Sequence, residues 1–97
     1  MICFVDTSAI LAILDADDKN HREGANEWKK LVVNEDVLLV SDYVLVESFA
    51  LVQNRLGLSA VRTLNDNILP VLKVEWISES LFRTAVMTVV TAARKKT

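Results

Sequence analysis

Two short, wholly apolar runs, at residues 2–5 and 37–40, and a third at 71–74 broken only by Lys73, are separated by stretches whose apolar side chains recur every three or four positions. A run of four apolar residues bounded by polar ones reads as a strand covered on both faces, and the longer spacing reads as helix. The resulting order is β-α-α-β-α-α-β-α. Strands alternating with helical segments imply an α/β fold, a parallel sheet with right-handed crossovers and helices on both faces. In such folds the chemistry gathers at the carboxyl ends of the strands.

The punctuation between the runs supports this order. Asp6, Thr7 and Ser8 supply capping side chains, and residues 9–14 continue as a short helix. Residues 15–20 are polar and acidic, a solvated connection. Ala25, Trp28, Leu31 and Val32 mark a helix over residues 21–33. Ser41 or Asp42 can cap a third helix reaching about Leu56, with Gly57 as a left-handed terminator. Val61, Leu64 and Ile68 mark a shorter helix after Ser59. A strand is expected directly after Pro70. Ser78 can cap the last helix, whose apolar face is Leu81, Phe82, Ala85, Val86, Val89, Ala92 and Ala93, with Arg94, Lys95 and Lys96 at its C-terminal dipole end.

Residues 1–97 are expected to form one domain, near the small end of what folds alone. The formal net charge of −2 argues against binding nucleic acid through a basic surface. It leaves room for an enzyme that holds RNA through metal ions. A single cysteine, Cys3, rules out an internal disulfide and suits a reducing cytosol, so a cytoplasmic protein is expected. The apolar start has no basic leader and is interrupted by Asp6, which fits neither a signal peptide nor a membrane span.

Two carboxylates stand out. Asp6 follows the first strand, at the edge where open parallel sheets keep their sites. Taken alone, an N-cap is the better reading, although a carboxylate has acceptor positions for a cap and a ligand together. Glu47 interrupts an almost wholly apolar helix, and its neighbours at helical spacing are Tyr43, Val44, Ala50 and Leu51. A carboxylate there must reach water through a cleft or find a cation, the bland alternative being an ion pair with Arg55 or Arg62. Glu47 lies six residues beyond Ser41, an advance of about 9 Å from the strand edge, so both carboxylates can line one cleft. A hard divalent cation such as Mg²⁺ or Mn²⁺ would relieve their repulsion.

Other polar residues read more simply. Asp15, Asp17 and Asp18 lack the spacing and central Gly of a calcium loop. His21 has no partner at zinc-ligand spacing. Glu75 and Glu79 read as solvated, Thr7 and Ser8 as caps, and Trp28 and Trp76 as core or interface residues. No nucleophile elbow, P-loop or dinucleotide fingerprint is present. An aspartyl phosphotransfer role for Asp6 would call for a second acid two positions on, where Ser8 stands.

The segments Phe4-Val5-Asp6-Thr7-Ser8-Ala9-Ile10 and Ser41-Asp42-Tyr43-Val44-Leu45-Val46-Glu47, with Arg55-Leu56-Gly57 after them, resemble the first two signature blocks of PIN-domain proteins. The likeness is greatest to the small toxin subunits of VapBC-type toxin–antitoxin pairs. It implies a three-layer α/β/α fold and a metal-dependent endoribonuclease. Acidic side chains would hold Mg²⁺ or Mn²⁺, Asp6 matching the first acidic position and Glu47 the second. It also implies an RNA substrate, an antitoxin partner and homodimerisation. The family's third acidic residue and its last strands would fall after Thr97, so an incomplete PIN-like domain lacking its C-terminal strands is expected. In the family's strand order the first strand would then be left with an open edge.

Two functions follow as expectations. One is a metal-dependent endoribonuclease of the toxin–antitoxin type, weak or inactive in this 97-residue chain. The other is a non-catalytic module that binds an antitoxin-like partner or self-associates through exposed apolar surface.

Overall fold

The structure is a computed structural model that describes the backbone of residues 1–95 and the side chains through residue 91. Three parallel strands, β1 (Ile2–Phe4), β2 (Val37–Ser41) and β3 (Lys73–Glu75), form a sheet in the order β1-β2-β3. The register pairs Cys3 with Leu38 and Val40 with Val74. Helices α1 (Thr7–Leu14) and α2 (His21–Val33) connect β1 to β2. Helices α3 (Asp42–Leu56) and α4 (Leu58–Thr63), a π-helical turn (Leu64–Ile68) and a 3₁₀ turn (Leu69–Val71) connect β2 to β3, and α5 (Glu79–Lys95) follows.

Strand alternation divides the sheet into two unlike faces. Leu38 and Val40 are buried and Cys3 and Val74 half-buried on the face that meets the helices. There Ile10, Val52 and Leu64 are wholly buried and join Val5, Leu45 and Ile68 in one apolar cluster. Ile2, Phe4 and Val37, on the opposite face, are exposed. Every described side chain of α5 is exposed as well, Leu81, Phe82 and Val89 among them. The apolar stripe of α5 thus forms without being covered. Ala92, Ala93 and the terminal basic residues lie outside the described side chains.

Local chemistry explains most boundaries. Ser41 Oγ accepts from Val44 N at 3.1 Å and starts α3. Gly57 ends it with φ +89°, a backbone state reserved for glycine when ψ is extended. Ser78 Oγ accepts from Leu81 N at 3.1 Å and starts α5. The third strand begins later than residues 71–74 suggest. Pro70 has a fixed φ and no N–H, which favours the opening of a turn, so Val71 is held in the 3₁₀ turn and β3 begins at Lys73. Trp28 packs against the core as expected. Trp76 does not; it is 76% exposed just beyond β3. Among the described residues, no helix is long and apolar enough to cross a membrane.

A cross-link between two strand ends shapes the carboxyl edge. Asp42, in the first turn of α3, accepts from Ile77 N at 3.0 Å and so ties the segment after β3 to the end of β2. Asp42→Ala is expected to lower stability by about 1–2 kcal/mol, because a half-buried, charge-assisted hydrogen bond is lost. The urea midpoint should fall with its slope unchanged.

Candidate active site

Asp6 sits one residue beyond Val5, where the chain leaves the sheet and turns into α1. Its extended backbone and its Oδ1, accepting from Ala9 N at 2.8 Å, make it the N-cap of that helix. The side chain is exposed, and its second oxygen takes no part in the cap. Thr7, the first helical residue, is half-buried between α1 and α3. Its Oγ1 donates to Glu47 Oε1 at 3.2 Å. That bond brings Glu47, in the second turn of α3, against the residue next to Asp6.

The route by which Glu47 reaches this place differs from the one its sequence neighbours suggest. Glu47 is exposed, and so are Tyr43 and Ala50 on its side of α3. An apolar sequence face here is not a buried face, so no cleft is needed to hydrate the carboxylate. The bland alternative fails too: among the described residues, neither Arg55 nor Arg62 pairs with Glu47, and the salt bridges are Met1–Asp36, Glu27–Lys30 and Glu79–Arg83.

Ser48 completes the local network. It is wholly buried, on the inward stripe of α3 with Leu45 and Val52, and its Oγ donates to Thr7 Oγ1 at 3.3 Å. Its only signal in the sequence is a hydroxyl at a core position of α3, which must find a hydrogen-bond partner. Thr7, a cap by its sequence position, is in the structure the link between Ser48 and Glu47.

The remaining acids serve local structure. Asp15 accepts from Asp17 N at 3.0 Å and Asp18 from Asn20 N at 2.8 Å, so two of the three loop acids close turns. His21 Nδ1 lies 2.7 Å from the Ala12 carbonyl and donates to it, fastening α2 to α1. Glu75 is exposed, and Glu79 pairs with Arg83 at 2.7 Å along α5. Among the described residues, no three His, Cys, Asp or Glu side chains gather as a metal-ligand group.

The donor set at Asp6, Thr7 and Glu47 is therefore all oxygen, with two carboxylates. Asp6 keeps one oxygen outside its cap bond and Glu47 keeps one outside its bond to Thr7. Such a set suits a hard divalent cation that retains several waters, and it does not suit zinc or a soft metal.

The PIN domain family model matches residues 3–92. Among solved structures, the chain is similar to the VapC20 toxin of Mycobacterium tuberculosis, described as cleaving the sarcin–ricin loop. The likeness has a TM-score of 0.73 at 28% identity, and covers 93% of this chain and 67% of that one. No curated protein sequence matches the chain.

Proposed function

From its membership of the PIN domain family, to which this chain belongs, we propose that it is a metal-dependent endoribonuclease of the toxin–antitoxin type, with Asp6 and Glu47 as cation ligands. The observation that carries the reading is the 3.2 Å bond from Thr7 to Glu47, which ties the second carboxylate to the residue that follows the first. The structural likeness to a sarcin–ricin loop-cleaving toxin supports RNA as the substrate. The family match over residues 3–92 supports reading residues 1–97 as one PIN-like unit.

The chemistry assigned to each residue follows from its position. A bound Mg²⁺ or Mn²⁺ supplies an activated water and neutralises charge developing on the phosphoryl oxygens. Asp6 offers its uncapped oxygen while the cap bond fixes its direction. Glu47 offers the oxygen that Thr7 leaves free. Both carboxylates must be ionised for this work, and both are exposed to solvent. Turnover by the chain alone is slow, since two carboxylates are a sparse cage for a divalent ion before substrate phosphate adds its own oxygens.

The test is direct. The chain, incubated with end-labelled structured RNA and Mn²⁺, should give slow internal cuts that vanish with EDTA and return when Mn²⁺ is restored. Cleavage that persists in EDTA would show a contaminant or another mechanism.

A second reading is favoured by the exposed apolar surface on Ile2, Phe4 and Val37 and along α5. Here the chain is a non-catalytic module that binds an antitoxin-like peptide or a second copy of itself. Absence of both Mn²⁺ binding and cleavage, with concentration-dependent association, would establish this reading over the first. Antitoxin binding and homodimerisation are also compatible with the nuclease.

A further inference from the structure

We propose that Ser48 and Thr7 form a hydroxyl relay that orients Glu47 toward the cation, with Ser48 a positioning residue that never touches the ion; this rests on the metal-site reading above. Ser48 is wholly buried, so no water can take its proton. Its hydrogen bond goes to Thr7 Oγ1 at 3.3 Å, and Thr7 Oγ1 lies 3.2 Å from Glu47 Oε1. A hydroxyl has one proton to give and can accept others. Glu47, as a carboxylate, only accepts, so Thr7 must be the donor in that bond. The proton of Ser48 is then directed at the Thr7 oxygen, and the chain has a single sense: Ser48 to Thr7 to Glu47. Each donation polarises the next.

The consequence is geometric. Glu47 stands at an exposed position of α3 and has three rotatable bonds with which to wander. The relay ties Oε1 to the α1–α3 contact and leaves Oε2 as the oxygen presented outward. Thr7 is also joined by a peptide bond to Asp6, whose own carboxylate is fixed by the Ala9 amide at 2.8 Å. One buried serine thereby sets the geometry of the pair from behind. Groups of this kind, one bond removed from a metal ligand, commonly govern affinity.

The test is Mn²⁺ affinity, read from the free-ion electron paramagnetic resonance signal, alongside the thermal melt of each variant. Thr7→Val and Ser48→Ala should each weaken Mn²⁺ binding about tenfold; Ser48→Ala should barely move the melting temperature, whereas Thr7→Val leaves the buried Ser48 hydroxyl without its acceptor and should lower it. Thr7→Ser keeps the hydroxyl and should bind nearly as the parent does. Ser48→Ala added to Thr7→Val should cost nothing further, because the relay is already cut. The relay is overturned if both single variants bind within about twofold of the parent while Glu47→Gln abolishes binding. It is equally overturned if affinity falls only in step with the melt and Thr7→Ser fails to rescue it, which marks a packing role. If Asp6→Asn and Glu47→Gln leave Mn²⁺ binding intact, the metal site itself is wrong, and the relay falls with it.

Discussion

Replacing Asp6 with Asn is expected to leave the chain folded and to abolish both Mn²⁺ binding and RNA cleavage. The substitution separates the two roles this residue can play. Asn is as good an N-cap as Asp, and its side-chain oxygen can accept the same bond from Ala9 N. Stability should therefore change by no more than about 0.5 kcal/mol, the scale of an ordinary surface substitution. The charge, however, is gone, and a neutral amide is a poor ligand for a hard cation. Losing a direct ligand should exceed the roughly 10- to 100-fold penalty seen for groups behind a ligand, so a fall of about 100-fold or more is expected. Glu47→Gln should do the same while still accepting from Thr7. Asp6→Ala, in contrast, loses the cap too and should also cost about 1 kcal/mol of stability. Unchanged cleavage by Asp6→Asn would reduce this residue to a cap and end its assignment as a cation ligand.

The largest stability loss is expected from Leu38→Ala. Leu38 is 2% exposed on the central strand, hydrogen-bonded through its neighbours to β1 and β3 and packed beneath the helices. Truncating such a leucine removes its transfer energy and leaves a cavity, at a cost of about 3–5 kcal/mol. A small domain holds about 5–15 kcal/mol in total, so the urea midpoint should fall by a large fraction and the variant should be partly unfolded on warming. Phe4→Ala is the control. It removes a larger side chain, but one that is 79% exposed, and should shift the same midpoint only slightly. Equal losses from the two would mean that the second face of the sheet is covered in solution.

Much of this architecture was written in local patterns. The runs at residues 2–5 and 37–40 announce β1 and β2, and Ser41, Gly57 and Ser78 bound their helices as their chemistry requires. The carboxylates at Asp6 and Glu47 stand out in the sequence because each breaks an apolar pattern. Other features depend on three-dimensional facts that spacing does not carry. The apolar neighbours of Glu47 suggest a cleft or a cation to hydrate or pair it, yet its side of α3 is open, since Tyr43 and Ala50 beside it meet solvent. Ser48 looked like an ordinary helix residue, and its importance appears only when Thr7 of another helix comes within hydrogen-bond range. Val71 was lost from β3 because Pro70 closes a turn first. Trp76 has the composition of a core residue and the location of a surface one.

The uncovered stripe along α5 gives the chain two kinds of order. From Glu79 to Thr91 its helix owes little to tertiary burial and much to the Ser78 cap and the Glu79–Arg83 pair. Such local devices contribute about 0.3–1 kcal/mol each, and a helix of this length without packing is marginal in water. Its amides will therefore trade hydrogen for deuterium through fraying of the helix alone. Those of β2 must wait for a much rarer opening of the whole core.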